Sequence, residues 1–223
     1  MMLLNPRCRD SAGNVKRMMT SSSYAPAVVA MIHSGDVASL QKLLERHPGL
    51  ASSPLGGAQQ TRTALHVVAD WPGYFPNGPQ MVRMLIEAGA DPDGRSPGDE
   101  TPLHWAASSD DTDVASALID GGADLETPDG SIGTPLDNAI GYGCWHVARL
   151  LVTRGARVDK LWHAAALGML ARVEELLAER PATESPATES PATEAPATEA
   201  GELSQAFWHA CAGGQRRAAE FLL

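Results

Sequence analysis

Residues able to do chemistry are few in this chain, and their spacing decides what they could do. Cys144-Trp145-His146 and His209-Ala210-Cys211 each set a thiol two positions from an imidazole. A nucleophilic pair needs hydrogen-bond reach and a third orienting group, zinc needs four ligands at recognisable spacings, and two residues apart on a helix do not share a face. Both pairs therefore read as structural. Asp110-Asp111-Thr112-Asp113 resembles a calcium loop only in its acidity, because it lacks the glycine and distal glutamate. Carboxylates there suit the start of a helix. Gly141-Tyr142-Gly143 has neither a preceding strand pattern nor a third spaced glycine, so it is no dinucleotide loop. His66 and His104 look catalytic only when taken out of their context.

That context is a repeat. Thr63-Ala64-Leu65-His66 recurs as Thr101-Pro102-Leu103-His104 and Thr134-Pro135-Leu136-Asp137. A second apolar stretch follows each, from Met81, Val114 and Val147, and then Gly89-Ala90, Gly122-Ala123 and Gly155-Ala156. The threonines can cap a helix, Pro102 and Pro135 suit its first position, and the glycines suit its left-handed exit. Each unit reads as cap, short helix, turn, second helix, glycine stop and loop. A two-turn helix is unstable alone, so neighbouring units must support it, as in a solenoid.

The Thr-Pro-Leu-His tetrapeptide, Ala106-Ala107 and the later Gly-Ala-Asp resemble the ankyrin-repeat family, most closely over Glu100 to Asp124. The resemblance implies an all-α ankyrin solenoid of about five repeats and an incomplete sixth. The expected boundaries are a disordered tail at 1–24, repeats at 25–60, 61–98, 99–131, 132–158 and 159–180, a linker at 181–202, and the sixth unit at 203–223. The resemblance also makes His66 and His104 structural, joining threonine and backbone between repeats. Residues 72–80 read as an enlarged helix–helix turn, and 181–200 as four pentapeptides, Pro-Ala-Thr-Glu-Ser twice and Pro-Ala-Thr-Glu-Ala twice. Proline every fifth residue breaks a helix, which suggests a solvated tether. The chain stops on Phe221-Leu222-Leu223, inside a second helix, and this suggests truncation.

Composition limits the remaining function classes. The formal net charge is −10, which argues against broad nucleic-acid binding. Three scattered cysteines give no disulfide framework and suggest a reducing, cytoplasmic setting. No apolar run reaches the roughly 18 residues of a membrane span. Hydrophobic residues are 43% but aromatics only 5%, so small aliphatic contacts should dominate the core. Charge is uneven: Asp91 to Asp129 holds eleven carboxylates and one basic residue, Arg95.

The family's usual role is non-catalytic protein binding through a concave groove and fingertip loops, without cofactor or metal. On that basis Trp71, Ser109 and Tyr142 are the expected groove contacts, with Tyr74 and Phe75 beside them in the enlarged turn; Asp99, Glu100 and Asp129 are the expected fingertip contacts. A local mini-core folding the turn back is the competing reading of the aromatics. The acidic loops suit a protein partner with a basic patch. Trp105, Trp162 and Trp208 are expected to pack between units. The alternative function is a regulatory or inhibitory subunit, or an accessory domain of an enzyme whose catalytic part is not in this chain.

Overall fold

In a computed structural model of the chain, residues 21–55, 62–179 and 199–223 are described. The expectations for the N-terminal tail up to residue 20 and for the pentapeptide run up to residue 198 lie outside the described residues. Every regular element among the described residues is a helix. They come in consecutive pairs: α1 (Ser21–Ser34) with α2 (Val37–Arg46), α3 (Ala64–Ala69) with α4 (Gly78–Glu87), and α5 (Pro102–Ser108) with α6 (Thr112–Asp120). Then follow α7 (Pro135–Gly141) with α8 (Trp145–Thr153), α9 (Leu161–Ala166) with α10 (Leu170–Ala178), and α11 (Glu199–Ala212) with α12 (Arg216–Leu222). First helices pack on first helices in chain order from α1 to α11, and α2, α4, α6 and α8 form the second layer.

The repeated tetrapeptide builds each first helix. Thr63 and Thr134 accept the N–H groups of His66 and Asp137 at 3.4 and 3.3 Å, and Pro102 and Pro135 begin their helices. The histidine then ties one repeat to the next. His66 Nδ1 accepts the Thr63 N–H, and its Nε2 meets the Glu100 carbonyl at 2.9 Å. His104 repeats this with Thr101 and the Gly133 carbonyl. Accepting at Nδ1 while donating from Nε2 requires a neutral imidazole. Gly89, Gly122 and Gly155 follow the second helices with φ of 93, 97 and 105°, the left-handed exit that glycine takes without strain.

Leu65, Leu103 and Leu136 are fully buried, and alanines fill much of the space around them. Burying each leucine contributes about 1.5–3 kcal/mol. The core is not continuous to the end. One cluster runs from Val28 to Ala156 and reaches Ala166, while Leu161, Ala164, Ala165, Val173, Ala206, Ala210 and Ala218 form a second. The layer of second helices thins at this seam, where α8 and α10 barely meet.

Three boundaries differ from the sequence reading. Helix α1 begins at Ser21, inside the stretch read as a 1–24 tail. Helix α11 begins at Glu199, inside the 181–202 linker, because the last proline of the pentapeptides is Pro196 and the following residues favour helix. Helix α4 begins at Gly78, with Pro79 in its first turn, so the enlarged turn is shorter than 72–80. Trp208 also departs from expectation: it is 61% exposed, and its ring contact among the described residues is edge-on with its neighbour His209. No helix among the described residues is long and apolar enough to cross a membrane.

Candidate binding groove

An open groove of about 510 Å³ runs along α5, lined by Asp70, Trp71, Glu100, Trp105, Ser108, Ser109, Ser131 and Tyr142. Four of the eight residues expected at the site meet there: Trp71, Ser109, Tyr142 and Glu100. Trp71 is 78% exposed and Tyr142 55%, so both aromatic faces are open to a ligand. Between them the Ser109 hydroxyl lies within 3.1 Å of the Ala69 carbonyl and 2.9 Å of the Trp105 carbonyl, linking α3 to α5. The Tyr142 hydroxyl pairs with Ser131 at 3.1 Å.

The other aromatics are engaged elsewhere. Phe75 stacks on His33 of the first pair at 4.4 Å. Tyr74 adopts a left-handed backbone, donates its N–H to Asp111 Oδ2, and donates its hydroxyl to the Asp110 carbonyl at 2.6 Å. The enlarged turn is therefore tied to its neighbours on both sides, although Tyr74 stays 58% exposed, and of Trp71, Tyr74 and Phe75 it is Trp71 that lines the groove.

Glu100 is more than a fingertip charge. Its Oε1 accepts the Ser131 N–H and Asn138 Nδ2, both at 3.0 Å, which ties the third repeat to the fourth. Burial alone would raise this carboxyl, but the hydrogen bonds from Ser131 and Asn138 outweigh it and hold it below its usual value. Asp99 and Asp129 are exposed, with left-handed backbones, and their carboxylates make no hydrogen bond among the described residues.

Most of the remaining acidic stretch is also engaged. Asp111 caps α6 through Val114. Asp110 reaches forward and accepts the N–H groups of His146 and Val147 at 3.1 and 3.0 Å, capping α8 of the following repeat. Asp93 accepts the Asp124 N–H, Asp120 pairs with Arg154, and Glu126 with Arg157. The acidic stretch from Asp91 to Asp129 is thus largely a set of ties between repeats.

The sequence reading missed a buried polar cluster at the fourth junction. Asp137 replaces the histidine of the tetrapeptide and is fully buried. It accepts from Lys160 Nζ at 2.6 Å, His163 Nε2 at 2.8 Å and the Thr134 N–H at 2.7 Å. Burial would raise its carboxyl, yet the bonds from His163, Lys160 and Thr134 hold it well below the usual carboxylate range. The signal available was the Lys-Leu-Trp-His run following a buried aspartate, but the 23- and 26-residue separations hide the contact.

The thiol–imidazole pairs do not form. Cys144 is buried, its thiol directed at the Ser108 carbonyl and raised by burial, while His146 is paired with Asp110. His209 stacks on Trp162 at 4.7 Å, and Cys211 is exposed. Trp105 packs edge-on against His66 at 5.1 Å.

Comparison with known proteins bears on the repeat fold. The family model for ankyrin repeats, in three copies, matches residues 65–160. Residues 65–160 carry ankyrin repeats. The chain is 30% identical over 123 residues to glycerophosphocholine phosphodiesterase gde1 of Schizosaccharomyces pombe, covering 55% of this chain and 10% of that protein. Protein fem-1 homolog A of Bos taurus is 43% identical over 54 residues, 24% of this chain and 8% of its own length. The B-cell lymphoma 3 protein homolog of Mus musculus is 35% identical over 85 residues, 36% of this chain and 19% of its own. The chain thus spans less than a fifth of the length of these curated relatives. Ankyrin repeats generally mediate protein–protein interaction and are typically non-catalytic.

Proposed function

We propose that the chain is a non-catalytic, cytoplasmic protein-binding module that holds a protein partner in the groove along α5, with Asp99 and Asp129 at its rim. The observation that supports this most is the exposure of Trp71 and Tyr142 on one open surface supplied by three successive repeats. Large aromatic side chains of that kind carry binding energy when a partner covers them. The groove's remaining polar atoms are mostly committed to hydrogen bonds within the fold, which suits a docking surface better than a catalytic one.

The test is affinity capture by the full chain and by Trp71→Ala/Tyr142→Ala. Proteins retained by the native chain should bind the double variant at least about tenfold more weakly, with its thermal unfolding unchanged. Equal retention by both would overturn the groove assignment. Rim charge is best tested with Asp99→Lys/Asp129→Lys, because reversing Glu100 would also break its bonds to Ser131 and Asn138.

A second reading is supported by the match to gde1, a protein named as a phosphodiesterase, over its repeats alone. On that reading the chain is a regulatory or accessory part of an enzyme whose catalytic portion is elsewhere. The same capture experiment separates the two, since an enzyme recovered through the groove would change its rate when the chain is added.

A further inference from the structure

The wall of the groove contains three aromatic rings and two carboxylates, and no Lys, Arg or His. The two carboxylates differ in one respect. Asp70 is already neutralised, because its Oδ2 lies 2.7 Å from Arg62 and its Oδ1 accepts the Trp71 N–H. Glu100 is held by the neutral donors Ser131 and Asn138 and forms no ion pair among the described residues. It is an ionised, half-buried carboxylate on a wall shared with three aromatic rings, with no ion-pair partner among the described residues. Such a charge is stabilised further by an incoming cation, and the low-dielectric walls strengthen that attraction.

A further feature favours positive charge. Asp70, Ser109 and Tyr142 are the C-caps of α3, α5 and α7, and the C-terminal end of a helix carries partial negative charge. Asp99 and Asp129 are exposed, but the Arg95 guanidinium lies beside both, on the Asp99 and Pro128 carbonyls, so the uncompensated charge of the groove is that of Glu100. We propose that the groove takes the guanidinium of an arginine on an extended segment of the protein partner, stacked on Trp71 and Tyr142 and paired with Glu100. This rests on the groove being the protein-binding surface. Arginine fits better than lysine, because a planar cation can lie on an aromatic face while its several N–H donors reach both Glu100 and the Ser131–Tyr142 hydroxyl pair.

The probe is the peptide acetyl-Ala-Gly-Ala-Arg-Ala-Gly-Ala-amide, with lysine and citrulline versions, titrated into the full chain while the Trp71 indole N–H resonance is followed. The arginine peptide should move that resonance with a Kd of about 1–10 mM. Citrulline, which keeps the shape and most donors but no charge, should bind at least about tenfold more weakly. Glu100→Gln retains the acceptor for Ser131 and Asn138, and should lower arginine binding to the citrulline level with the Ser131 amide unmoved.

Equal binding of arginine and citrulline peptides, no shift at about 10 mM, or indifference to Glu100→Gln would overturn the inference. Equal binding of the lysine peptide would overturn the choice of arginine. A Trp71 resonance displaced by Arg7→Gln/Arg9→Gln/Arg17→Gln in the otherwise intact chain would place the chain's own N-terminal arginines in the groove and overturn the partner assignment. Captured proteins lost by Trp71→Ala/Tyr142→Ala but kept by Glu100→Gln would leave the protein-binding groove standing and remove the arginine alone.

Discussion

His66 and His104 each hold three groups together: a threonine N–H, a threonine hydroxyl and a carbonyl of the next repeat. Burial lowers both imidazoles below the usual histidine value near 6.5 despite the nearby carbonyl and Glu100, and burial likewise lowers His209. The folded chain therefore binds protons at these rings less readily than the unfolded chain. Their contribution to stability is complete above the unfolded value and is lost as pH falls through and below about 6.5. Urea unfolding should have a lower midpoint at about pH 5.5 than at about pH 7.5. An unchanged midpoint would mean that the rings accept protons within the fold. Asp137, whose carboxyl is depressed, contributes above the ordinary carboxylate value and loses that contribution only in stronger acid, so the two effects occupy separate pH ranges. The structural role of these histidines was legible through the resemblance of Thr63–His66 and Thr101–His104 to the ankyrin tetrapeptide. For Glu100 the sequence suggests only a fingertip contact, because its partners in the fold lie 31 and 38 residues on.

Helix α8 shows how one element depends on another. Its own N-cap, Cys144, offers no side-chain hydrogen bond, and Asp110 supplies the missing acceptor from the preceding turn. Asp110→Ala should destabilise the protein by about 1–2 kcal/mol, read as a shift in urea midpoint. The exposed His146 partner adds little to that figure. Asp110→Asn keeps the acceptor and should recover most of the loss; if it is as damaging as alanine, charge rather than capping is responsible. Caps and glycine stops within a repeat could be read from the sequence, since they obey local rules. The forward cap could not, because Asp110 stands next to the local cap Asp111 and its target is 36 residues away. Phe75 is similar: its type suggested a contact, but only the fold shows that His33 receives it.

The molecule as a whole divides where its core does. Seven buried residues, five of them alanine, make up the second cluster around α9 to α12, whereas larger side chains such as Met81, Leu85, Leu103 and Leu118 fill the first. Less apolar area per helix means a lower cost of local opening. Hydrogen exchange should give α10 and α12 opening free energies at least about 2 kcal/mol below those of α3 to α6. Uniform protection along the array would contradict a divided core. The forward ties of Asp110, His66, His104 and Glu100 have a further consequence for the array as building material. A cut made at the sequence period, between one tetrapeptide and the next, leaves each piece without a cap or carbonyl that the other supplies. The second to fourth repeats therefore transfer to another scaffold only as a single block, and anything joined after α8 must replace the donors that Lys160 and His163 give to buried Asp137.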